Sequence, residues 1–199
     1  MKKALIIVDM QKDFCEGGSL SVPGGNSIVS VINRIKEKFL KDGDIVVASR
    51  ELHPMNHTYF ASVNGKNSFD LNDNCEVLWP DHCVYNTDGC EFHDDLDLTK
   101  VEIFTKGKDV NHHPFSAFYG ISDKHDIWLY DYLKENGVGT VYVVGLAMEF
   151  CVLETAIDAA KDFKTYVVLN ATSWITEDGK KRAMESFKKN NIENIIKHF

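Results

Sequence analysis

A chain of 199 residues with 44% apolar and 26% charged residues has the material for one packed core and is not of disordered composition. Its formal net charge of −8 argues against a nucleic-acid or anionic-membrane surface, and no apolar run approaches transmembrane length. Five cysteines, an odd number with no signal-peptide pattern ahead of them, point to free thiols in a reducing, cytoplasmic setting rather than to a disulfide framework.

The apolar run at 4–8, ALIIV, reads as a buried strand that stops abruptly at Asp9. This carboxylate therefore sits at a strand's carboxyl end, where open α/β sheets bind their ligands. A Gly- and Pro-punctuated loop follows and carries one large aromatic, Phe14; ordered loops of this length are often functional. Ile28, Ile32, Ile35 and Phe39 then recur at helical spacing until Gly43 stops the run. Residues 45–49 form the next strand and close on Arg50, Glu51 and His53. Residues 54–100 have little periodicity and read as a loop-rich excursion with short helical pieces. A strand at 101–105 closes on Lys106 and Gly107, and 126–135 reads as a helix with Leu129, Tyr132 and Leu133 inward.

The strand at 141–144 is broken by Gly145, and a helix begins at Phe150, with Leu153, Ala156 and Ala159 on its packing side. A strand at 165–169, a helix at 177–189 and a last strand at 192–196 follow. Strands alternating with helices imply right-handed crossovers and a parallel sheet covered on both faces. The pattern predicts a single domain over 1–199, without repeats or linkers.

Four strand ends thus carry capable chemistry: Asp9, Glu51 with His53, Lys106, and Cys151. A parallel sheet gathers all of them on one edge. Cys151 falls in the first turn of a helix, where unpaired N–H groups and positive potential favour a thiolate and can hold an oxyanion. A cysteine there is otherwise an inert packing residue. Convergence with Lys106, which favours the thiolate, and Asp9, which can move its proton, makes a nucleophile the sharper reading. Glu51 and His53, two apart on an extended segment, project to the same side, and a distant His82 in WPDH can complete a His₂-carboxylate site with open positions. The bland alternative is that both histidines merely hydrogen-bond in loops.

The pieces LIIVDMQKDFCEGGSL (5–20), RELHPMNH (50–57), LWPDHCV (78–84), FTKGKD (104–109), FSAFYG (115–120) and GLAMEFCVLETAIDA (145–159) together resemble the nicotinamidase branch of the isochorismatase-like cysteine hydrolases. The resemblance covers nearly the whole chain. It implies an α/β fold, a three-layer α/β/α sandwich around a mostly parallel, Rossmann-like central sheet. It also implies deamidation of nicotinamide to nicotinate and ammonia through a cysteine thioester, as in NAD salvage. Cys151 becomes the nucleophile, Asp9 the general acid/base and Lys106 their charged partner. Backbone N–H groups of Ala147 and Cys151 form the oxyanion hole, with a cis peptide between Leu146 and Ala147. One divalent ion, zinc first with iron or manganese as alternatives, is held by Glu51, His53 and His82 and contacts the pyridine nitrogen, while Phe14 and Trp79 wall the ring.

Two departures from the family pattern carry expectations. Glu51 stands where an Asp is usual, which alters ion distance, denticity or identity. Met148-Glu149 replaces the usual Thr-Asp and is expected to reshape the pocket rim. His57 is expected outside the ligand set, beside it or bound to solvent. His93, His112 and His113 are expected in surface or loop hydrogen bonds, and Cys75, Cys83 and Cys90 as structural thiols. The expected partner is a small-molecule substrate, with no nucleic acid and no membrane; a homo-oligomer is compatible. The nearest competing function is another amidohydrolase of the superfamily, acting on a ureido, carbamoyl or other small amide. A thiol redox protein lacks its C-x-x-C, and a dinucleotide oxidoreductase lacks its G-x-G-x-x-G.

Overall fold

The structure, a computed structural model, describes residues 1–196. Among them, β1 (Lys2–Val8), β2 (Ile45–Glu51), β3 (Glu102–Lys106), β4 (Ile121–Ser122), β5 (Val138–Gly145), β6 (Lys164–Thr172) and β7 (Glu193–Ile195) form one sheet in the order β4-β3-β2-β1-β5-β6-β7. All neighbours run parallel except β3 and β4. The chain winds outward from β1 to β3 on one side and from β5 to β7 on the other, so the switch point lies beside β1.

Period-two alternation along β1 sorts its side chains between two cores. Leu5 and Ile7 pack with Ile28, Ile32, Ile35 and Phe39 of α1 (Gly25–Lys41). Ala4, Ile6 and Val8 face the other way, into a cluster with Leu133 of α2 (Leu129–Glu135), Ala156 of α3 (Leu153–Ala160) and Phe187 of α4 (Glu177–Lys189). Burial on both faces explains why β1 is an unbroken apolar run. The layers are helix, sheet, helix, as the resemblance implied. The α4 terminus is capped by Thr176, whose Oγ1 accepts from Gly179 N at 2.9 Å, with Glu177 and Asp178 in the first turn.

The differences from expectation are local. The strand β4, two residues long, is too short to leave a periodic trace. The expected helix at 126–135 starts only at Leu129, because Asp126 turns at φ 50° and Trp128 is extended. The helix expected from Phe150 is a π-helical turn over Met148–Val152 that runs into α3. None of the helices among the described residues is long and apolar enough to cross a membrane.

Candidate active site

The carboxyl ends of β1, β2 and β3 and the turn after β5 bring Asp9, Glu51, Lys106 and Cys151 together, all buried. Lys106 is the hub. Its Nζ donates to Glu51 Oε1 at 2.6 Å and to the Pro114 carbonyl at 3.0 Å, and lies 3.1 Å from Asp9 Oδ2 and 3.7 Å from Cys151 Sγ. Asp9 sits at φ 47° and is held through Oδ1 by the Ser49 hydroxyl at 2.7 Å. Its Oδ2 lacks a well-aligned hydrogen-bond donor, and the carboxylate lies within 4.8 Å of the Cys151 thiol, whose own weak hydrogen bond goes to Glu51 Oε1 at 3.7 Å.

Electrostatics decide the resting proton positions. Burial opposes the Lys106 charge, but Asp9, Cys151 and Glu51 around it raise its pKa and keep it an ammonium. Burial also works against the Glu51 charge, yet the Lys106 ammonium beside it holds its carboxyl well below the usual range. Burial raises Asp9 despite Lys106. For Cys151, burial pushes the thiol well up; Lys106 opposes this, while Asp9 and Glu51 add to it. The expectation of a thiolate eased by the helix terminus and Lys106 is therefore corrected. The resting group is a thiol, and a base must take its proton during reaction.

Glu51 also faces the other way. Its Oε2 lies 3.0 Å from His53 Nε2 and 3.2 Å from His82 Nε2. The far nitrogen of each ring is committed: His53 Nδ1 donates to the Gly107 carbonyl at 2.9 Å, and His82 Nδ1 donates to the Pro80 carbonyl at 2.7 Å. In the tautomer that puts the proton on Nδ1, each ring aims its Nε2 lone pair at the carboxylate. Three electron-pair donors converging on one point are a set that could hold a cation. Gly107 admits His53 only because it has no side chain: its φ is +82°, and a Cβ would meet His53 Cε1 at 2.5 Å.

Gln11 clamps Glu51 from behind. Its Oε1 accepts from Glu51 N at 2.7 Å, and its Nε2 donates to the carbonyls of Glu51 (2.7 Å) and Cys90 (2.8 Å). Gln11→Ala is expected to destabilise the protein by about 2–4 kcal/mol, since it strands buried backbone groups. Urea unfolding would measure this, and a loss below about 0.5 kcal/mol would show the clamp to be dispensable.

Between the thiol and the imidazoles lies a pocket lined chiefly by apolar residues, with Glu51, His82, His113 and Cys151 at its reactive edge. Phe14 and Trp79 line it, as expected, joined by Phe115 and Phe150. The Trp79 ring meets Phe150 edge-on at 5.3 Å, and Phe14 leans on His82 at 5.5 Å. Ala147 and Cys151 also line the cavity, and the Leu146–Ala147 peptide is cis.

A model of the isochorismatase domain matches residues 3–196. The chain belongs to the isochorismatase family. A nicotinamidase of Acinetobacter baylyi is 42% identical over 182 residues, spanning 88% of this chain and 83% of that one. The structure of a pyrazinamidase of Pyrococcus horikoshii in complex with zinc superposes with a TM-score of 0.83 at 37% identity, covering 99% of this chain and 100% of that one. The yeast nicotinamidase bound to the inhibitor nicotinaldehyde gives 0.87 at 32% identity, covering 98% and 100%.

Within this isochorismatase-family site, several expectations need correction. Met148 and Glu149 do not form the pocket rim. Met148 is buried in the core, and the Glu149 carboxylate accepts from Ile175 N and Thr176 N, both at 3.0 Å. Its influence on the pocket runs through Ile175, which lines it. His113 is not a surface or loop hydrogen-bonder. Because the Pro114 carbonyl is drawn to Lys106, the preceding ring turns inward, stacks on His53 at 5.0 Å and on Trp79 at 6.1 Å, and sets its Nε2 3.5 Å from His82 Nε2. Burial takes its pKa down to about 3.

His57 lies beside the ligand set but is buried away from solvent; its Nε2 donates to the His112 carbonyl at 3.4 Å and its Nδ1 accepts from Tyr59 N at 3.3 Å. His93 accepts from Asp95 N in a loop, as expected, and His112 is exposed. Cys83 and Cys90 are buried, but Cys75 is exposed and packs nothing.

Proposed function

We propose that this chain is a metal-dependent amidohydrolase that deamidates nicotinamide to nicotinate and ammonia, with pyrazinamide-like aromatic carboxamides accepted by the same pocket. The observation that carries the reading is one aromatic-walled cavity with a thiol, acid and lysine beside a carboxylate–imidazole cluster. It occurs in a family whose relatives above include nicotinamidases.

The donor set fits a divalent ion, because the Nδ1 hydrogen bonds of His53 and His82 leave their lone pairs facing Glu51. Glu51, His53 and His82 would hold it, and zinc is the first assignment. When bound, the ion supplies a Lewis-acidic anchor for the ring nitrogen of a pyridine carboxamide. Phe14 and Trp79 wall the ring, and the carboxamide carbon is presented to Cys151 Sγ.

Asp9 takes the thiol proton as Sγ bonds to the carbonyl carbon, and Lys106 keeps the resulting negative charges affordable in a dry site. The backbone N–H groups of Ala147 and Cys151 hold the oxyanion. The C–N bond then breaks, and ammonia leaves with the proton returned by Asp9. Water, deprotonated by Asp9, attacks the thioester; the C–S bond breaks, nicotinate departs, and Cys151 regains its proton. One domain, a cytoplasmic setting and the absence of nucleic-acid and membrane partners belong to the same reading, supported by the acidic net charge and free thiols.

The test is ammonia release from nicotinamide before and after chelation, with zinc, iron or manganese restored. Activity is expected to vanish with the ion and return with one of the three. Turnover by protein verified as metal-free would overturn the metal dependence. Absence of turnover by the metal-loaded protein would point to another amide substrate of the family.

A further inference from the structure

The cluster holds one imidazole more than the Glu51, His53 and His82 set requires. Among the described residues, Glu51, His53, His82 and His113 each offer one ligand atom, and these atoms all lie within 4.8 Å of one another. We infer that His113 is a fourth protein ligand, making the site one carboxylate with three imidazoles; this rests on the metal-dependent reading above.

Three observations support it. First, the spacing is that of a shared ion. Donor atoms held at about 2.0–2.2 Å by one four- or five-coordinate ion stand about 3–3.6 Å apart, and five-coordination leaves a position for the ring nitrogen; here Glu51 Oε2 to His53 Nε2 is 3.0 Å, Glu51 Oε2 to His82 Nε2 is 3.2 Å, and His82 Nε2 to His113 Nε2 is 3.5 Å. Second, a proton does not satisfy the cluster. An N–H on His113 Nε2 serves only one acceptor and leaves His53 and His82 lone pairs against the Glu51 carboxylate, whereas one cation serves all four donors.

Third, the ring is placed by packing rather than by hydrogen bonds. His113 Nδ1 is buried with no partner, while the ring lies between His53 and Trp79. The segment that carries it is tied down on both sides: Val110 O accepts from Thr58 N and Oγ1, each at 2.9 Å, and Pro114 O accepts from Lys106 at 3.0 Å. Little reorganisation is needed to ligate. Three imidazoles favour zinc, iron, nickel or copper over magnesium and calcium, which prefer all-oxygen shells.

The experiment measures affinity for Zn²⁺ alone by chelator competition, and the visible absorption of the Co²⁺-substituted protein, in wild type, His113→Ala, His113→Gln and His53→Ala. Circular dichroism checks each fold, and the Gln variant preserves bulk if Ala does not fold. Both His113 variants are expected to lose Zn²⁺ affinity by roughly 10–100-fold or more, with a changed Co²⁺ spectrum. Wild-type affinity and spectrum in the His113 variants, with ion binding lost in His53→Ala, would make His113 a pocket wall and overturn the inference alone. Weaker affinity with an unchanged spectrum would also overturn it, by showing a packing effect. Undiminished binding in His53→Ala would sink the metal site itself.

Discussion

Replacing Cys151 by Ala is expected to reduce ammonia release from nicotinamide by about 10⁴-fold or more, the scale on which a nucleophile's loss is felt. The sulfur is the group in the pocket that can form an acyl-enzyme beside a buried carboxylate: Sγ lies 3.7 Å from Lys106 Nζ, and Asp9 Oδ2 is 3.1 Å from the same nitrogen. Fold and ion binding should persist, because the substitution removes one atom from a buried site and leaves Glu51, His53 and His82 untouched. Cys151→Ser is expected to be nearly as inactive, since a hydroxyl is a far weaker nucleophile with the same neighbours. The measurement is steady-state ammonia release together with Zn²⁺ content. Turnover within tenfold of wild type in the Ala variant, confirmed by mass, would mean that the thioester route is wrong and that water attacks directly.

Much of this site was legible in the sequence because a parallel sheet turns strand ends into neighbours. The run at 4–8 had to be a buried strand, so Asp9 had to stand at its carboxyl end; the same reasoning placed Glu51, Lys106 and the turn holding Cys151. What escaped depends on partners far away in the chain. Gln11 reads as an ordinary loop amide, yet its partners lie 40 and 79 residues on. His113 reads as a loop histidine because what turns it inward is a carbonyl bond from Pro114 to a buried lysine. The protonation of Cys151 departs from the sequence expectation for a related reason. Helix position and one lysine are visible locally, whereas the burial and the two carboxylates that outweigh them arise only on folding. Glu149 lies off the expected pocket rim because its carboxylate serves backbone groups 26 and 27 residues downstream instead of the pocket.

Lys106→Met is expected to be the most destabilising change in the site, by about 3–5 kcal/mol, because it leaves two buried carboxylates without their cation. Lys106 is fully buried and contacts both Asp9 and Glu51 within 3.1 Å. Much of an ordinary domain's stability is of that size. The pH dependence separates neutralisation from packing. In the wild type, Glu51 is held below its ordinary pKa, so its contribution is present above that range and is lost as pH falls. In metal-free Lys106→Met, burial acts unopposed by the ammonium and lifts both carboxyls above their unfolded values. The folded variant then binds protons that the unfolded chain has shed, so its stability falls as pH rises through the carboxylate range. The gap between wild type and variant should therefore be wide at about pH 7.5 and narrow at about pH 4.5. Urea unfolding of chelator-treated proteins at both values reads it directly. A gap of equal size at the two pH values would assign the loss to the missing amine's packing and hydrogen bond to Pro114, and would remove charge balance as the reason a lysine lies at the centre of this site.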